Sequence, residues 1–366
     1  MLGRVKHRFL QRRGYTADKQ GKSKESSDND KEVVAVAVFI FRPRWFASLL
    51  SIIACLTFVG TAAGQALVPG TGERNAKVGD DFEDPNWGYT FNNPKNSSEL
   101  DGQSRLPDGF SNNRRWFEGP MRGNPDVLRR VPTPEGGLPG STGALLIRTL
   151  QAGTPGRPSG HSQQDDLIVN VRAHMGGTIP VSWLPSCVVR VYMPPFDEWE
   201  KRTGNTFAVR AGTYGVRPKG EGESEEYWPG MFIQFQSKAD RRHKQDAAHF
   251  LLRAGPSGQD FKGPEITETG WWTLGMSFTA DGQVHYYASP GVDDLTAKDH
   301  IASQNPYGFR CQRFETFFFD IIAADDGRTW STPWIIDDAS LYLARQPKVA
   351  AKPNVATQPR KRGRKR

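Results

Sequence analysis

The 366-residue chain carries 38 Gly, 26 Pro, 21 Phe and 10 Trp, a turn-rich and aromatic-rich composition that suits many short strands and argues against a helical bundle. Its formal charge of +8 sits at the two ends: residues 1–44 hold 11 basic and 5 acidic side chains, residues 344–366 hold 9 basic and no acidic ones, and the stretch between is acidic overall. The basic balance therefore belongs to the ends, and because the folded part carries no nucleic-acid motif, no nucleic-acid partner is expected through it.

Residues 1–44 are polar, charged and without sustained periodicity, the signature of a disordered basic extension. Arg42 and Arg44 then flank an apolar run from Trp45 to Ala63, which exits through Gly64-Gln65-Ala66. A positive flank, an apolar stretch and small exit residues make an export signal, expected over residues 45–66. The run also approaches the roughly 20 residues that span a bilayer, so an uncleaved anchor stays open, and membrane contact is expected only through this segment. Ile52-Ile53-Ala54-Cys55 loosely resembles a lipobox, but apolar residues continue beyond Cys55. The expected location is periplasmic or extracellular, or membrane-anchored if the signal stays. Residues 67–77 read as a linker.

From about Leu145 onward, short alternating segments are separated by turn residues. In LIVNVRAHM, Leu167, Val169, Val171 and Ala173 oppose Asn170, Arg172 and His174. In CVVRVYM, Cys187, Val189, Val191 and Met193 oppose Arg190 and Tyr192; in MFIQFQSK, Met231, Ile233 and Phe235 oppose Gln234, Gln236 and Lys238. AHFLLR sets Phe250 and Leu252 against His249 and Arg253. A period of two is what half-buried antiparallel strands require, and it predicts an all-β antiparallel sandwich over residues 78–343. Cys187 and Cys311 fall in different predicted strands, where they either bridge or stay as two buried thiols.

The segment GWWTLGMSFTADGQVHYYASPG, residues 270–291, reads as a hairpin. A three-residue loop, Ala280-Asp281-Gly282 with Gly282 left-handed, pairs Phe278 with Val284 and Met276 with Tyr286. Trp272 then joins Leu274, Met276 and Phe278 on an apolar face, while Trp271, His285 and Tyr287 share the other. Guanidinium groups, amides and aromatic rings suit sugars, which offer hydroxyls to hydrogen-bond and C–H faces to stack on. The ligand-binding candidates are therefore Trp271, His285, Tyr287, Gln234, Gln236, Arg172, Arg190, Tyr192, His249 and Arg253, provided their strands share one sheet.

The order DDFEDPNW, GALLIRTL, VVRVYMPPFDEW, YWPGMFIQFQ, GWWTLGMSFTADGQVHYYA and PWIIDDASLYL resembles the concanavalin A-like lectin and glucanase superfamily, which includes laminarinase-type hydrolases and laminin G-like modules. The resemblance implies a jelly-roll sandwich. It also implies, for a hydrolase, an E-x-D-x-x-E strand; this chain has Gln234 and Gln236 where carboxylates are wanted, and an amide can serve neither as nucleophile nor as acid/base. Gln283-Val284-His285 is similar to the Q-[IV]-H element of alginate-lyase-like enzymes, which implies His285, Tyr287 and Arg172 as lyase residues, but the other two strand motifs of that family are missing. DDFED and IIDDASLYL resemble terminal jelly-roll strands that hold a structural calcium, with Asp80, Asp81, Glu83, Asp337 and Asp338 as the implied ligands or, without metal, as acidic turn residues. The expectation is an exported, non-catalytic glycan-binding or cell-surface protein. The alternatives are a polysaccharide-active enzyme, a lyase before a hydrolase, or a structural envelope protein whose disordered tail, residues 344–366, holds an acidic partner.

Overall fold

The computed structural model describes residues 66–345 except Pro107 and residues 219–221. The basic extension, the apolar run from Trp45 to Ala63 and the tail beyond Arg345 lie outside the described residues, so the export, anchor and tail expectations fall there. In chain order the first strands are β1 (Glu73–Asp80), β2 (Tyr89–Thr90), β3 (Phe110–Ser111), β4 (Trp116–Glu118), β5 (Val127–Val131), β6 (Ala144–Arg148) and β7 (Gln163–Val169). A short helix, α1 (Val171–Met175), leads to β8 (Ile179–Pro180), β9 (Pro185–Met193), β10 (Gly204–Val216), β11 (Glu225–Tyr227), β12 (Gly230–Gln236) and β13 (Ala247–Arg253). The last are β14 (Asp260–Ile266), β15 (Gly270–Phe278), β16 (Val284–Pro290), β17 (His300–Gln304), β18 (Arg310–Ala323) and β19 (Trp334–Leu343).

These strands pair antiparallel into two sheets. One has eight strands in the order β17-β16-β15-β9-β19-β6-β5, with β1 also on β19; the other has eleven, β14-β13-β12-β10-β18-β7-β4-β3-β2, with β11 on β10 and β8 on β18. This is the all-β antiparallel sandwich that the alternating pattern predicted. Inward residues of both sheets fill the space between: Val189, Val191, Leu274, Met276, Phe278 and Ile336 from one, and Phe207, Val209, Ile233, Phe235, Phe250, Phe319 and Ile321 from the other. Trp199 anchors an aromatic knot, its ring 4.9 Å from both Phe235 and Trp334, with Phe207 5.0 Å from Trp334.

The hairpin takes the expected register, Met276 opposite Tyr286 and Phe278 opposite Val284, with Gly282 at φ +83°. Trp272 is core, edge-on to Phe250 at 5.4 Å. Two other expectations fail. Residues 67–77 are no linker: β1 begins at Glu73, and before it the Gly70 amide donates to Ser186 Oγ at 3.2 Å while the Ser277 hydroxyl donates to the Leu67 carbonyl. LIVNVRAHM is not one strand, because β7 ends at Val169 and α1 follows. Only Val171 of α1 is buried, and Gly176 ends it in the left-handed conformation; Arg, Ala and Met are good helix formers, and five residues are too few for a period of two to exclude a helix. Of the two alternatives for the cysteines, the structure has the unbridged one: Cys187 and Cys311 are both free and buried. They belong to different sheets, on β9 and β18, and burial pushes both thiols up to about 12.

Candidate functional site

The two sheets divide the sequence-derived candidates. Trp271, His285, Tyr287, Arg190 and Tyr192 stand on the outer face of the eight-stranded sheet; Gln234, Gln236, His249 and Arg253 stand on the outer face of the eleven-stranded sheet. The single face expected from alternation is thus two faces on opposite sides of the core. Arg172 belongs to neither strand row. It projects from α1 and pairs with Glu315 at 3.0 Å, so the lyase trio His285, Tyr287 and Arg172 does not assemble.

The face carrying Trp271 is covered rather than open. Trp271, a ligand-binding candidate in the sequence, retains 6% of its accessible surface; its indole donates to the Pro134 carbonyl at 3.3 Å and its ring meets Tyr192 at 5.5 Å. Ser186, Ser277, His285 and Ser303 form one row across β9, β15, β16 and β17, and the segment Leu67–Gly70 lies on it through the two serine hydrogen bonds. Gly275 lets Pro69 and Leu295 come this close, since a Cβ there would stand 2.6–2.7 Å from their side chains. His285 is fully buried. With the Thr279 hydroxyl donating to Asp281, His285 Nε2–H donates to Thr279 at 2.8 Å and Nδ1 accepts from Ser303 at 2.6 Å. Burial pushes its pKa down to about 4, so the ring is neutral. Tyr287 is buried against His300, centroids 5.1 Å apart. Arg190 is buried too, bonded to Asp338 and Asp294 at 2.7 Å each.

The outer face of the eleven-stranded sheet is different. A cleft of about 250 Å³ opens there between Arg122, Gln164, Asp166, Arg210, Trp228, Arg253, Tyr307 and Phe318. Strand parity explains the set: Asp166 on β7 faces Asp320 on β18, which faces Ala208 on β10, and one step along, Phe318 faces Arg210. The Arg210 guanidinium lies between the rings of Phe232 and Phe318, 5.6 and 5.4 Å away. It bonds Asp320 at 3.3 Å and the Trp228 carbonyl at 3.2 Å. Arg253 makes a two-pronged pair with Asp260 at 2.8 and 2.9 Å and covers the Phe232 ring at 4.8 Å. Arg122 pairs with Glu99 at 2.7 Å.

Like charges directly opposite on paired strands repel. Asp166 and Asp320 stand opposite each other, and burial raises both carboxyls above the usual range, against the pull of Arg122 and Arg210. Further along the same face His249 stands opposite Gln234, its pKa lowered chiefly by burial and then by Lys262.

Sequence reasoning found Gln234, Gln236, His249 and Arg253 but missed Arg122, Gln164, Asp166, Arg210, Trp228, Tyr307, Phe318 and Asp320. One signal pointed to Phe318 and Asp320: a lone aspartate interrupts the apolar run FFFDII. A charged residue inside such a run is the informative kind of burial. The implied calcium ligands are engaged elsewhere. Asp80 accepts from the indoles of Trp87 and Trp116 at 3.0 and 3.1 Å, and Asp81 from the Glu83 amide at 3.3 Å. Glu83 accepts from Thr142, Asp337 from Ser141 at 2.8 Å, and Asp338 from Arg74 and Arg190. Among the described residues no group of three or more His, Cys, Asp or Glu side chains is placed to hold a metal ion, and no helix is long and apolar enough to cross a membrane.

No protein-family model matches the chain, and no curated protein matches it. Among solved structures, the alginate lyase of Klebsiella pneumoniae is similar over 72% of this chain and 95% of its own, at 9% identity and a TM-score of 0.32. The globular domain of T. cruzi calreticulin is similar over 62% of this chain and 83% of its own, at 10% identity and a TM-score of 0.32. The CBM2 module of the evolved Dit of Lactobacillus casei BL23 phage J-1 covers 73% and 95% at 13% identity and TM-score 0.32. At that level of likeness none of them speaks to this chain's activity.

Proposed function

We propose that this chain is an exported glycan-binding protein that holds a sugar segment in the cleft on the outer face of its eleven-stranded sheet. The observation that carries this reading is the convergence of Trp228, Tyr307 and Phe318 with Arg122, Arg210, Arg253 and Gln164 around one opening. Aromatic rings take the C–H face of a sugar, and fixed guanidinium and amide groups orient its hydroxyls. The apolar run and small-residue exit before Leu67 support export. Replacing Trp228 with Ala removes an aromatic wall and is expected to lower retention on an oligosaccharide array by about tenfold, roughly 1–2 kcal/mol, with the thermal midpoint little changed. Equal retention would remove the cleft from consideration.

A second reading, a polysaccharide lyase, is favoured by one observation: a neutral His249 beside Gln234 on the same face, the residue types that take and stabilise a proton. Incubation with uronate polymers and a search for an unsaturated, ultraviolet-absorbing product tests it. A product that vanishes in His249→Ala supports the lyase; no product from any uronate removes it.

A further inference from the structure

Away from the cleft, the other side of β7 carries a buried lysine. Lys95, in the chain between β2 and β3, is buried together with Asp165, and its Nζ donates to three oxygens: Asp165 Oδ2 at 2.6 Å, Asp126 Oδ1 at 3.0 Å and the Asn124 carbonyl at 3.3 Å. The Thr149 hydroxyl joins the two carboxylates, bonding Asp126 Oδ2 at 3.0 Å and also Asp165 Oδ2. The lysine stem is fixed as well, since a Cβ at Gly123 would stand 2.6–2.7 Å from Lys95 Cβ, Cγ and Cδ.

A buried ion pair offsets its desolvation only when the remaining lone pairs are bonded too. Asp165 Oδ1 is buried and has no partner among the described residues. An amide between the two side chains removes both charges from the interior and turns Oδ1 into a neutral carbonyl oxygen, whose burial costs less than a carboxylate's. Asp126, whose side chain keeps 30% of its exposure, gives a released water a way to solvent.

We propose that Lys95 and Asp165 condense into an intramolecular isopeptide bond, with Asp126 as proton acceptor and Thr149 as the relay to the departing oxygen. From the ion pair, one Nζ proton passes to Asp165 Oδ2, leaving a neutral amine beside a carboxylic acid. The nitrogen lone pair attacks Cγ to form the C–N bond, and a second Nζ proton passes to Asp126 Oδ1. Asp126 returns a proton through the Thr149 hydroxyl to Oδ2 as the Cγ–Oδ2 bond breaks, and Oδ2 departs as water. The last N–H keeps the Asn124 carbonyl as its acceptor. Ammonium and carboxylate thus become amide and water, with net charge unchanged and nothing oxidised or reduced. Burial, which pushes Asp165 up to about 7, favours the first transfer, and holding both groups in contact supplies an effective molarity of about 10⁵–10⁸ M. The bond ties residues 70 apart.

Intact-mass measurement of the purified full chain in denaturant, then tryptic digestion and tandem mass spectrometry, tests this on the parent protein. The parent is expected to be lighter than its sequence by one water, and its digest to contain a branched peptide joined through Lys95 and Asp165. Lys95→Arg keeps a cation beside both aspartates without a nucleophilic amine, and is expected at full sequence mass. Asp126→Asn is expected to form the link about a hundredfold more slowly after refolding. If either variant does not fold, the parent digest still decides. Parent protein at full sequence mass, with Lys95 and Asp165 recovered in separate peptides, overturns the proposal, and so does a water loss that the spectra place elsewhere, such as Asp281-Gly282. Linking at the parental rate in folded Asp126→Asn overturns the part given to Asp126.

Discussion

His285 illustrates what a single side chain reveals and conceals. Strand parity put it on the polar side of β16, as the alternation required, yet nothing in its own neighbourhood of sequence announces that Leu67–Gly70 and β17 close over it. Its pKa falls from 6.5 in the unfolded chain to about 4 in the folded one. A buried imidazole that must stay neutral contributes fully above pH 6.5, and its contribution is lost as pH falls through about 4. His285→Gln, which keeps an amide near Thr279 and Ser303, is expected to be less stable than the parent at pH 7 but to lose less stability on acidification. Thermal midpoints at pH 7 and pH 4.5 measure this; a difference between the two proteins that stays constant across that range would contradict it.

Among elements, the β15–β16 hairpin was the most legible, because an incorrect register would have mixed polar and apolar residues on both faces. Its turn depends on Gly282. Alanine there would keep φ near +83° and set its Cβ 2.7–2.9 Å from Arg310 and Cys311. A cost of about 1–3 kcal/mol is expected for Gly282→Ala, read as a lower urea midpoint at unchanged slope; an unaltered midpoint would mean that the turn relaxes freely. β7 was the least legible. Its first half, Gln163–Asp166, carries no apolar alternation, and its two aspartates serve opposite sides. Asp166 turns to the cleft, whereas Asp165 turns to Lys95 at 2.6 Å and is pushed up to about 7 by burial. Both partners are distant in sequence, so no local pattern marks them.

At the level of the whole molecule, alternation gave the sandwich but not the allocation of strands to sheets, and that allocation decides the site. The polar faces of β9, β15 and β16 look in sequence like those of β12 and β13, yet only the latter pair borders an open cleft. The same allocation keeps the cysteines apart. Cys187 and Cys311 are expected to resist alkylation at pH 8 in the native protein and to react fully in urea, with the modified peptides identified by mass spectrometry; a peptide pair joined by a disulfide would refute this. The pairing of β1 with β19 has a mechanical consequence. Glu73 stands opposite Leu343 and Asp80 opposite Ala339, so the first and last strands are neighbours whose outer ends meet. A tensile load applied through those two ends opens their ladder one hydrogen bond at a time from Glu73 inward, and the sandwich yields to pulling like a zipper, at β1, while the cleft on the far sheet is still intact.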